Sequence, residues 1–537
     1  MASISVVSDE ALDPGSRALL DLTLRHGMSD EQLAHTLAVD AGDIALRRER
    51  AIEAVLAQAG IQAAPGLDPS EEVAKAGAAV AVADRFLAES RAARELSAER
   101  AAPARHQANK LDLFLRFVAA GYLAALLAAV VIYKAAFIEM ITTDPLLTVY
   151  GLVVCGYIVT RFLFSTIYRS PRDAGLEPRV AIVMPGFNEE DAIGRSLRSL
   201  LEVDYPAEKL EIVAVDDGST DQTLAAMRAV AAEEPRVEVI AFPENRGKRA
   251  AMAAGIRSTS AEIVAFVDSD SVLEPDALRR LVQGFADRKV GAMCGHANVL
   301  NLRESWLTRM QAVRYFVAFR VSKAAESIFG TVTCCSGCFS AYRREAILPK
   351  LEWWENQRFL GMQSTFGDDR SLTNCVLRGW KVRYDAKAVS HTAVPATFRQ
   401  FMRQQLRWKR SWTRESLIVS RFVWRKNPLA ALSTYVGILL PLVAPVICVH
   451  TVLWQPIFGD GGAPLVYALG VYSMAVAYGL YYAIRHPRYD DLWIYGVAFC
   501  FFYLFFLLWQ TYFAILTART TTWGTRPATA GSTEAAA

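Results

Sequence analysis

The chain has 537 residues, enough for one α/β catalytic domain, several membrane spans and a small additional module. Hydrophobic residues make up 53% of the chain, yet 21% of its residues are charged, so the apolar residues must be concentrated in particular segments. The formal net charge of +3 is too small to indicate a nucleic-acid partner, and none is expected. The eight cysteines lack the paired spacing of a disulfide framework, which fits a reducing compartment.

Residues 1–105 are polar, charged and rich in alanine, without the apolar run of a cleavable signal peptide. Ser29 and Gln32 have the spacing of a helix capping box, and apolar residues recur at helical intervals after them. Between residues 16 and 60, seven acidic residues outnumber five arginines, which disfavours contact with a nucleic-acid backbone. We therefore predict a cytoplasmic helical extension with a regulatory or interaction role.

Five segments are apolar over a length that crosses a bilayer, for which an α-helix needs about 20 residues. They lie at residues 113–137, 146–168, 429–454, 464–484 and 492–517. Basic residues gather beside their ends, so the positive-inside rule predicts that the central region and both termini face the cytoplasm. We expect a multi-pass protein of the plasma membrane.

The number of C-terminal crossings conflicts with the charges that follow them. Three simple crossings would leave Arg519 and Arg526 outside the cell, against the positive-inside rule. We therefore predict that the last apolar segment breaks, near Trp509 and Gln510, into two passes or a re-entrant pair. Two further stretches, 306–324 and 398–426, combine basic and apolar residues and predict helices at the bilayer surface.

The central region has short apolar runs that are each followed by polar residues. Three such runs are predicted β-strands, at residues 180–185, 210–215 and 263–267. Asp216 and Asp217 follow the second run, where they could accept hydrogen bonds from a uracil or ribose, or simply satisfy a turn. Lys248 and Arg249 open a predicted helix, and cations beside a helix N-terminus favour phosphate oxygens. Nucleotide binding at the carboxyl edge of a parallel sheet is the prediction.

Asp268 and Asp270 follow the third predicted strand as an Asp-Ser-Asp triplet. Two carboxylates at this spacing can hold a hard divalent cation that also binds a diphosphate and neutralises its charge as a nucleotide leaves. The position of the triplet between the other acidic motifs argues against a chance occurrence. We predict a site for Mg²⁺ or Mn²⁺.

A further acidic pair, Asp368 and Asp369, precedes a predicted helix at residues 371–378. When a sugar hydroxyl attacks an anomeric carbon, a carboxylate must take the proton as the new bond forms. We predict that this pair is catalytic, with Asp369 as the base, while a helix cap is the structural alternative. The order of all these motifs indicates a sugar-nucleotide transferase.

Three further motifs accompany the acidic ones: Cys-Cys-Ser-Gly at 334–337, Gln-Gln-Leu-Arg-Trp at 404–408 and Trp-Gly-Thr-Arg at 523–526. The last acidic pair belongs to the longer motif Gly-Asp-Asp-Arg-Ser-Leu-Thr-Asn at 367–374. With these motifs, the chain from 181 to 414 resembles a processive family 2 glycosyltransferase, and among these the hyaluronan synthases. The resemblance implies an α/β domain of the GT-A (Rossmann-like) type, inserted between transmembrane α-helices. Cys338 departs from the pattern, which has proline there, and residues 1–105 have no counterpart in it.

The resemblance also implies roles for residues beyond the acidic motifs. Cys335, Gln404 and Trp408 would bind the acceptor, with Trp408 stacked on its terminal sugar. Arg407 would pair with the departing phosphate charge. Trp523 and Arg526 would belong to a gating loop that closes over UDP, which requires a cytoplasmic C-terminus.

Together these features predict a metal-dependent inverting polymerase that uses UDP-GlcNAc and UDP-GlcA and passes the growing polysaccharide through the lipid bilayer. The alternatives are a chitin-type synthase using UDP-GlcNAc alone, a transferase that adds one sugar to a lipid carrier, and a membrane-anchored sensor without catalysis. The predicted divisions are an extension (1–105), a transmembrane hairpin (106–172), the transferase domain (173–397), interfacial helices (398–427), C-terminal transmembrane helices (428–518) and a gating loop with tail (519–537).

Overall fold

The computed structural model describes Arg50 and residues 145–459, 463–485 and 492–520. The predicted helices of the N-terminal extension and the predicted span at 113–137 lie outside the described residues. The predicted gating residues Trp523 and Arg526 also lie outside them.

A mixed sheet of eight strands forms the centre of the molecule, in the order β3-β2-β1-β4-β7-β6-β10-β5. The strands are β1 (Val180–Gly186), β2 (Leu210–Asp216), β3 (Val237–Ala241), β4 (Ile263–Phe266), β5 (Ser271–Leu273), β6 (Val290–Val299), β7 (Ser340–Arg343) and β10 (Lys381–Thr392). A separate small hairpin pairs β8 (Arg358–Phe359) with β9 (Met362–Gln363). The three predicted strands are confirmed as β1, β2 and β4.

The first half of the sheet is parallel, because β1 pairs in parallel with both β2 and β4, and β2 with β3. All seven residues of β1 are buried, as expected for a parallel strand covered by helices on both faces. Strand β7 runs antiparallel between β4 and β6, and β10 joins β6 in parallel. The loops after β1, β2 and β4 therefore leave the same edge of the sheet.

Helices surround this sheet and continue beyond it. They are α1 (Pro145–Ile167), α2 (Ile193–Leu201), α3 (Thr223–Glu233), α4 (Lys248–Ser258), α5 (Ala277–Val282), α6 (Trp306–Phe316), α7 (Ala324–Ile328), α8 (Arg344–Ile347), α9 (Leu351–Glu355), α10 (Asp368–Leu377), α11 (Phe398–Ser420), α12 (Pro428–Val449), α13 (Gln455–Phe458), α14 (Ala463–Arg485), α15 (Trp493–Phe502) and α16 (Gln510–Leu516). Wider π-helical turns connect α6 to α7, α12 to α13, and extend α15 to Leu507.

Two helices of the described residues are long and apolar enough to cross a membrane. They are Pro145–Ile167, with a mean hydropathy of 1.8, and Pro428–Phe458, with a mean hydropathy of 2.3. Both coincide with predicted spans. Helix α14 covers a third predicted span without being among these candidates, so its passage through the bilayer stays a prediction.

The last apolar segment is bent by 44° between Trp493–Leu507 and Gln510–Leu516, and the two parts form a third candidate if they are one span. The bend lies at the predicted break near Trp509. Whether the two parts are separate passes stays a prediction.

Helix α6 begins at a capping box, in which the side chain of Ser305 accepts the amide of Thr308 and the Thr308 hydroxyl accepts the amide of Ser305. Its apolar residues pack against the C-terminal helices: the ring of Phe316 lies edge-on to that of Tyr482, and Val313 belongs to the same apolar cluster. The helix predicted for the bilayer surface is thus docked on the C-terminal apolar helices.

Candidate active site

A cavity of about 950 Å³ opens at the edge of the sheet where β1, β2 and β4 end. Most of the residues predicted to act in binding or catalysis line it: Asp217, Lys248, Asp268, Asp270, Asp368, Asp369, Gln404, Arg407 and Trp408. Residues up to 191 positions apart in the sequence therefore meet in one place, as expected for the motifs that follow β2 and β4.

Asp216 and Asp217 have different surroundings. Asp216 is buried at the end of β2, and its carboxylate accepts the backbone amide of Ser219 within its own loop, so it does not line the cavity. Asp217 lines the cavity, and its Oδ1 accepts the backbone amides of Arg246 and Gly247 at 2.8 and 3.0 Å. The position of Asp217 is compatible with the predicted nucleotide binding, whereas Asp216 stabilises the conformation of the loop.

Lys248 lies at the start of α4 and donates a hydrogen bond from Nζ to Oδ1 of Asp268. Burial lowers the pKa of Lys248, but the negative charge of Asp268 outweighs burial and the pKa is raised, so the ammonium is charged. The backbone of Gly337 approaches this pair closely, because a Cβ atom at Gly337 would lie 2.8 Å from both carboxylate oxygens of Asp268. Any side chain at position 337 would displace the Asp268 carboxylate, so glycine is required for Asp268 to keep this position.

Asp268 and Asp270 face the same part of the cavity. Burial raises the pKa of Asp270 to about 6, and repulsion by the charge of Asp268 adds to this effect. Such a carboxylate pair fits a divalent cation, whose charge removes the repulsion and whose preferred ligands are oxygens. Within the described residues no group of three His, Cys, Asp or Glu side chains surrounds a common point, so diphosphate and water oxygens would have to complete the shell.

The acidic pair of α10 is divided between two environments. Asp369 lies on the cavity wall, where the thiol of Cys334 is 4.0 Å from its Oδ2 and no cation of the described residues forms an ion pair with it. The Asp368 carboxylate accepts Nε of the buried Arg249 at 2.8 Å. Arg249 does not line the cavity, so the prediction that it contacts the nucleotide is wrong. Its guanidinium forms a buried ion pair with Asp368 instead.

A buried polar network fixes α10 against α11. Gln357 accepts a hydrogen bond from Nη1 of Arg249 at 3.0 Å and donates one to Glu415 at 3.3 Å. Glu415 also accepts Nε of Arg414 and the side-chain amide of Asn374, each at 2.9 Å. The buried charges of this network are paired, which stabilises the position of the first turn of α10, where Asp369 lies.

The side chains of the cysteine motif are not directed as predicted. Cys335 is fully buried in the core, and its backbone amide donates to the Thr373 hydroxyl at 2.9 Å. Cys334 and Cys338 line the cavity instead. The acceptor-binding prediction for Cys335 therefore fails, since its side chain is directed away from the cavity, and a one-residue offset in the motif explains the error.

Gln404, Arg407 and Trp408 lie on α11 and line the cavity together. The guanidinium of Arg314 lies over the ring of Trp408, with 5.3 Å between Cζ and the ring centroid. Arg314 also lines the cavity and had no predicted role, although it lies in the amphipathic pattern from which α6 is predicted.

The cavity extends from the sheet edge into the apolar helices. Pro441 of α12, Tyr503 of the π-helical turn and Thr511 of α16 contribute to its lining. Lys409 of α11 reaches into this end and donates from Nζ to the Leu507 carbonyl and to Thr511 Oγ1. One continuous space therefore joins the acidic motifs to helices that can cross a membrane.

Comparison with known proteins shows the family. Residues 181–348 match the family Glycosyl transferase family 2. The chain is 33% identical over 385 residues to a hyaluronan synthase of Streptococcus pyogenes, covering 70% of this chain and 90% of that protein. The chain belongs to glycosyltransferase family 2. This glycosyltransferase is also 34% identical over 299 residues to an N-acetylglucosaminyltransferase of Rhizobium meliloti, covering 54% of this chain and 70% of that protein.

Among solved structures, the glycosyltransferase matches the mannosyltransferase PcManGT from Pyrobaculum calidifontis, solved in complex with GDP-Man and Mn²⁺. The TM-score is 0.46 at 23% identity, and the match covers 67% of this chain and 99% of that one. The mixed sheet described above is that of a GT-A-like domain, flanked by long apolar helices, which confirms the predicted fold class.

Proposed function

We propose that this glycosyltransferase is a hyaluronan synthase-like enzyme, which joins GlcNAc and GlcA from their UDP donors and passes the product into the membrane. The observation that supports this most is the continuous cavity, which extends from Asp217, Lys248 and Asp268 at the edge of the sheet to Tyr503 among the apolar helices. A transferase that released a soluble product would have no use for the second end. The similarity to a hyaluronan synthase over 70% of the chain supports the same function.

The donor binds at the edge of the sheet in this proposal. Asp217 contacts the nucleoside, and Lys248 lies where it can approach the diphosphate. Asp268 and Asp270 would hold Mg²⁺ or Mn²⁺, which neutralises the developing charge on the leaving UDP. Arg407, which also lines the cavity, adds a cation for the phosphate charge.

The acceptor approaches from the side of α11. Trp408 offers an aromatic face on which the terminal sugar stacks, and Gln404 offers hydrogen bonds to its hydroxyls. Asp369 takes the proton from the attacking hydroxyl as the bond to the anomeric carbon forms, and UDP leaves from the other face of that carbon. Asp368, paired with Arg249, has no part in proton transfer and positions its neighbour. A single displacement of this kind inverts the anomeric configuration.

The donor requirement tests this proposal. Full-length enzyme in lipid with Mg²⁺ or Mn²⁺ is given labelled UDP-GlcNAc with and without UDP-GlcA, and product length is measured. Long product only with both donors is expected. Product from UDP-GlcNAc alone would indicate the chitin-type alternative, one added sugar on a lipid would indicate the single-transfer alternative, and UDP binding without product would indicate a sensor.

A further inference from the structure

Arg314 is a cation in the cavity that the steps above do not use. Its guanidinium lies between two aromatic rings, with Cζ 5.3 Å from the centroid of Trp408 and 5.5 Å from that of Phe499. Its Nη1 atom is buried and has no hydrogen-bond partner among the described residues. A buried guanidinium nitrogen without an acceptor costs free energy, so an acceptor brought by a ligand would be favoured here.

Three other arginines in the protein interior each have a carboxylate partner. Arg161 pairs with Glu326, Arg249 with Asp368 and Arg414 with Glu415. In each case a carboxylate of the protein neutralises the guanidinium, as burial of a charge requires. Within the described residues, no carboxylate forms an ion pair with Arg314.

The groups around Arg314 leave its positive charge uncompensated. Burial lowers its pKa, and only the hydroxyls of Tyr315 and Tyr503 act against that effect. Lys409 adds a second cation on the same side, and burial together with Arg314 lowers its pKa to about 8. Both side chains line the cavity, so this end of it presents positive charge to whatever enters.

We propose that Arg314 and Trp408 form a subsite for the carboxylate of a uronic-acid residue in the growing chain. This inference rests on the proposed function and names the residue that selects an acidic polymer. A planar guanidinium binds a carboxylate through two parallel hydrogen bonds, while the adjacent indole stacks on a sugar ring. In the proposed function the donor's diphosphate, the other oxyanion of the reaction, lies with Lys248 at the start of α4, with Asp268 and with Arg407, and no part of the donor is assigned to Arg314 of α6.

Binding of oligosaccharides to the full-length enzyme in lipid nanodiscs tests the subsite. The probes are a tetrasaccharide of alternating GlcNAc and GlcA and its carboxyl-reduced analogue, in which each uronate is a neutral glucose. Arg314→Gln is expected to weaken binding of the acidic probe by about tenfold or more, and that of the neutral probe by no more than about twofold. Arg314→Lys is expected to recover only part of the loss, because an ammonium cannot form the paired hydrogen bonds.

Arg309→Gln is the matched control. Arg309 lies on the same helix and stacks on Tyr495, but its Nη1 already donates to the Tyr495 hydroxyl at 2.9 Å and it does not line the cavity. This variant is expected to bind both probes as the parent does.

The remaining outcomes separate the inference from the proposed function. Equal losses for both probes, or no loss for either, would overturn the subsite in an enzyme that still makes an alternating polymer. Another outcome is that Arg314→Gln leaves the preference for the acidic probe unchanged and instead alters how probe binding depends on the phosphatidylglycerol content of the nanodisc. That result would assign Arg314 to a lipid phosphate and would also overturn the uronate subsite. A parent enzyme that binds chitotetraose but neither probe would instead contradict the proposed function.

Discussion

At the scale of single residues, the two members of the Asp368–Asp369 pair have separate tasks. Asp369 lies on the cavity wall without an ion-pair partner among the described residues, and Asp368 is held by Arg249. A carboxylate that takes a proton must reach the acceptor hydroxyl. Asp369 can do so as it stands, whereas Asp368 would have to give up its ion pair with Arg249.

Substitution of the proposed base gives the first prediction. Asp369→Asn keeps the shape of the side chain but cannot take a proton, so kcat should fall by about 10²- to 10⁴-fold. UDP affinity, measured by calorimetry, should change little. Asp287→Asn is the control, since Asp287 is paired with Lys381 away from the cavity. Turnover near the parent rate in Asp369→Asn would remove Asp369 from the mechanism.

The close approach of Gly337 to Asp268 gives the second prediction. A Cβ atom at Gly337 would displace the Asp268 carboxylate, so Gly337→Ala should raise the metal concentration needed for half-maximal activity several-fold. Gly379→Ala is the matched control, because a Cβ atom there would meet nothing within 4 Å. Metal titrations of the transfer rate that coincide for the two variants would show that Gly337 does not position Asp268.

At this scale the sequence predicts which residues gather better than how each side chain points. Asp217, Asp268 and Asp369 line one cavity. The meeting of Asp217 and Asp268 can be expected from the sequence, because both follow strands that local apolar runs predict. The side chains of Arg249 and Cys335 point into the core, and an offset of one residue in a loop or first helical turn is not visible in composition or spacing. The position of Arg314 against Trp408 depends on contact between α6 and α11, which are about 90 residues apart in the chain.

At the scale of elements, α10 and α11 are joined by the buried network around Glu415. Its charged side chains are almost wholly buried, and each has a charged partner. Removal of one partner leaves an uncompensated charge in a medium of low polarity, which is far more costly than loss of a surface ion pair.

Arg249→Met is therefore expected to lower the free energy of unfolding by about 3–5 kcal/mol, because Asp368 is left charged and buried. Arg257→Met removes an exposed arginine paired with Glu355 and should cost no more than about 1 kcal/mol. Thermal unfolding in detergent, followed by tryptophan fluorescence, compares the two variants. Equal shifts of Tm would mean that the network does not stabilise the site.

The order of the strands in the sheet could not be predicted from the sequence. β1, β2 and β4 follow from short apolar runs, but β7 lies antiparallel between β4 and β6, and no local pattern encodes that pairing. β10 pairs with β6 across an irregular register, and its twelve residues include Lys381, Arg383 and Asp385, which obscure the apolar signal of a strand.

At the scale of the whole molecule, the bend between Leu507 and Gln510 lies where charge balance requires the chain to turn. Lys409 of α11 donates a hydrogen bond to the Leu507 carbonyl, so the bend is attached to α11 beside the cavity. A C-terminus on the cytoplasmic side would bring the Trp523 and Arg526 motif within reach of the nucleotide end.

The side of the C-terminus can be measured directly. Ser532→Cys should react with a membrane-impermeant maleimide in inside-out vesicles and be protected in right-side-out ones, relative to the parent with its native cysteines. The positive charges of Arg519 and Arg526 favour this side. Labelling only in right-side-out vesicles would mean that the last apolar segment is a single crossing.

If one cavity both makes the polymer and delivers it into the membrane, proteoliposomes should accumulate polymer on the side opposite the donors. UDP-GlcNAc and UDP-GlcA added outside reach only enzymes whose catalytic domain faces outward, because the nucleotides do not cross lipid. We expect labelled polymer inside the vesicles, resistant to added hyaluronidase until detergent is present and missing with Asp369→Asn. Polymer that is fully degraded without detergent would contradict this expectation.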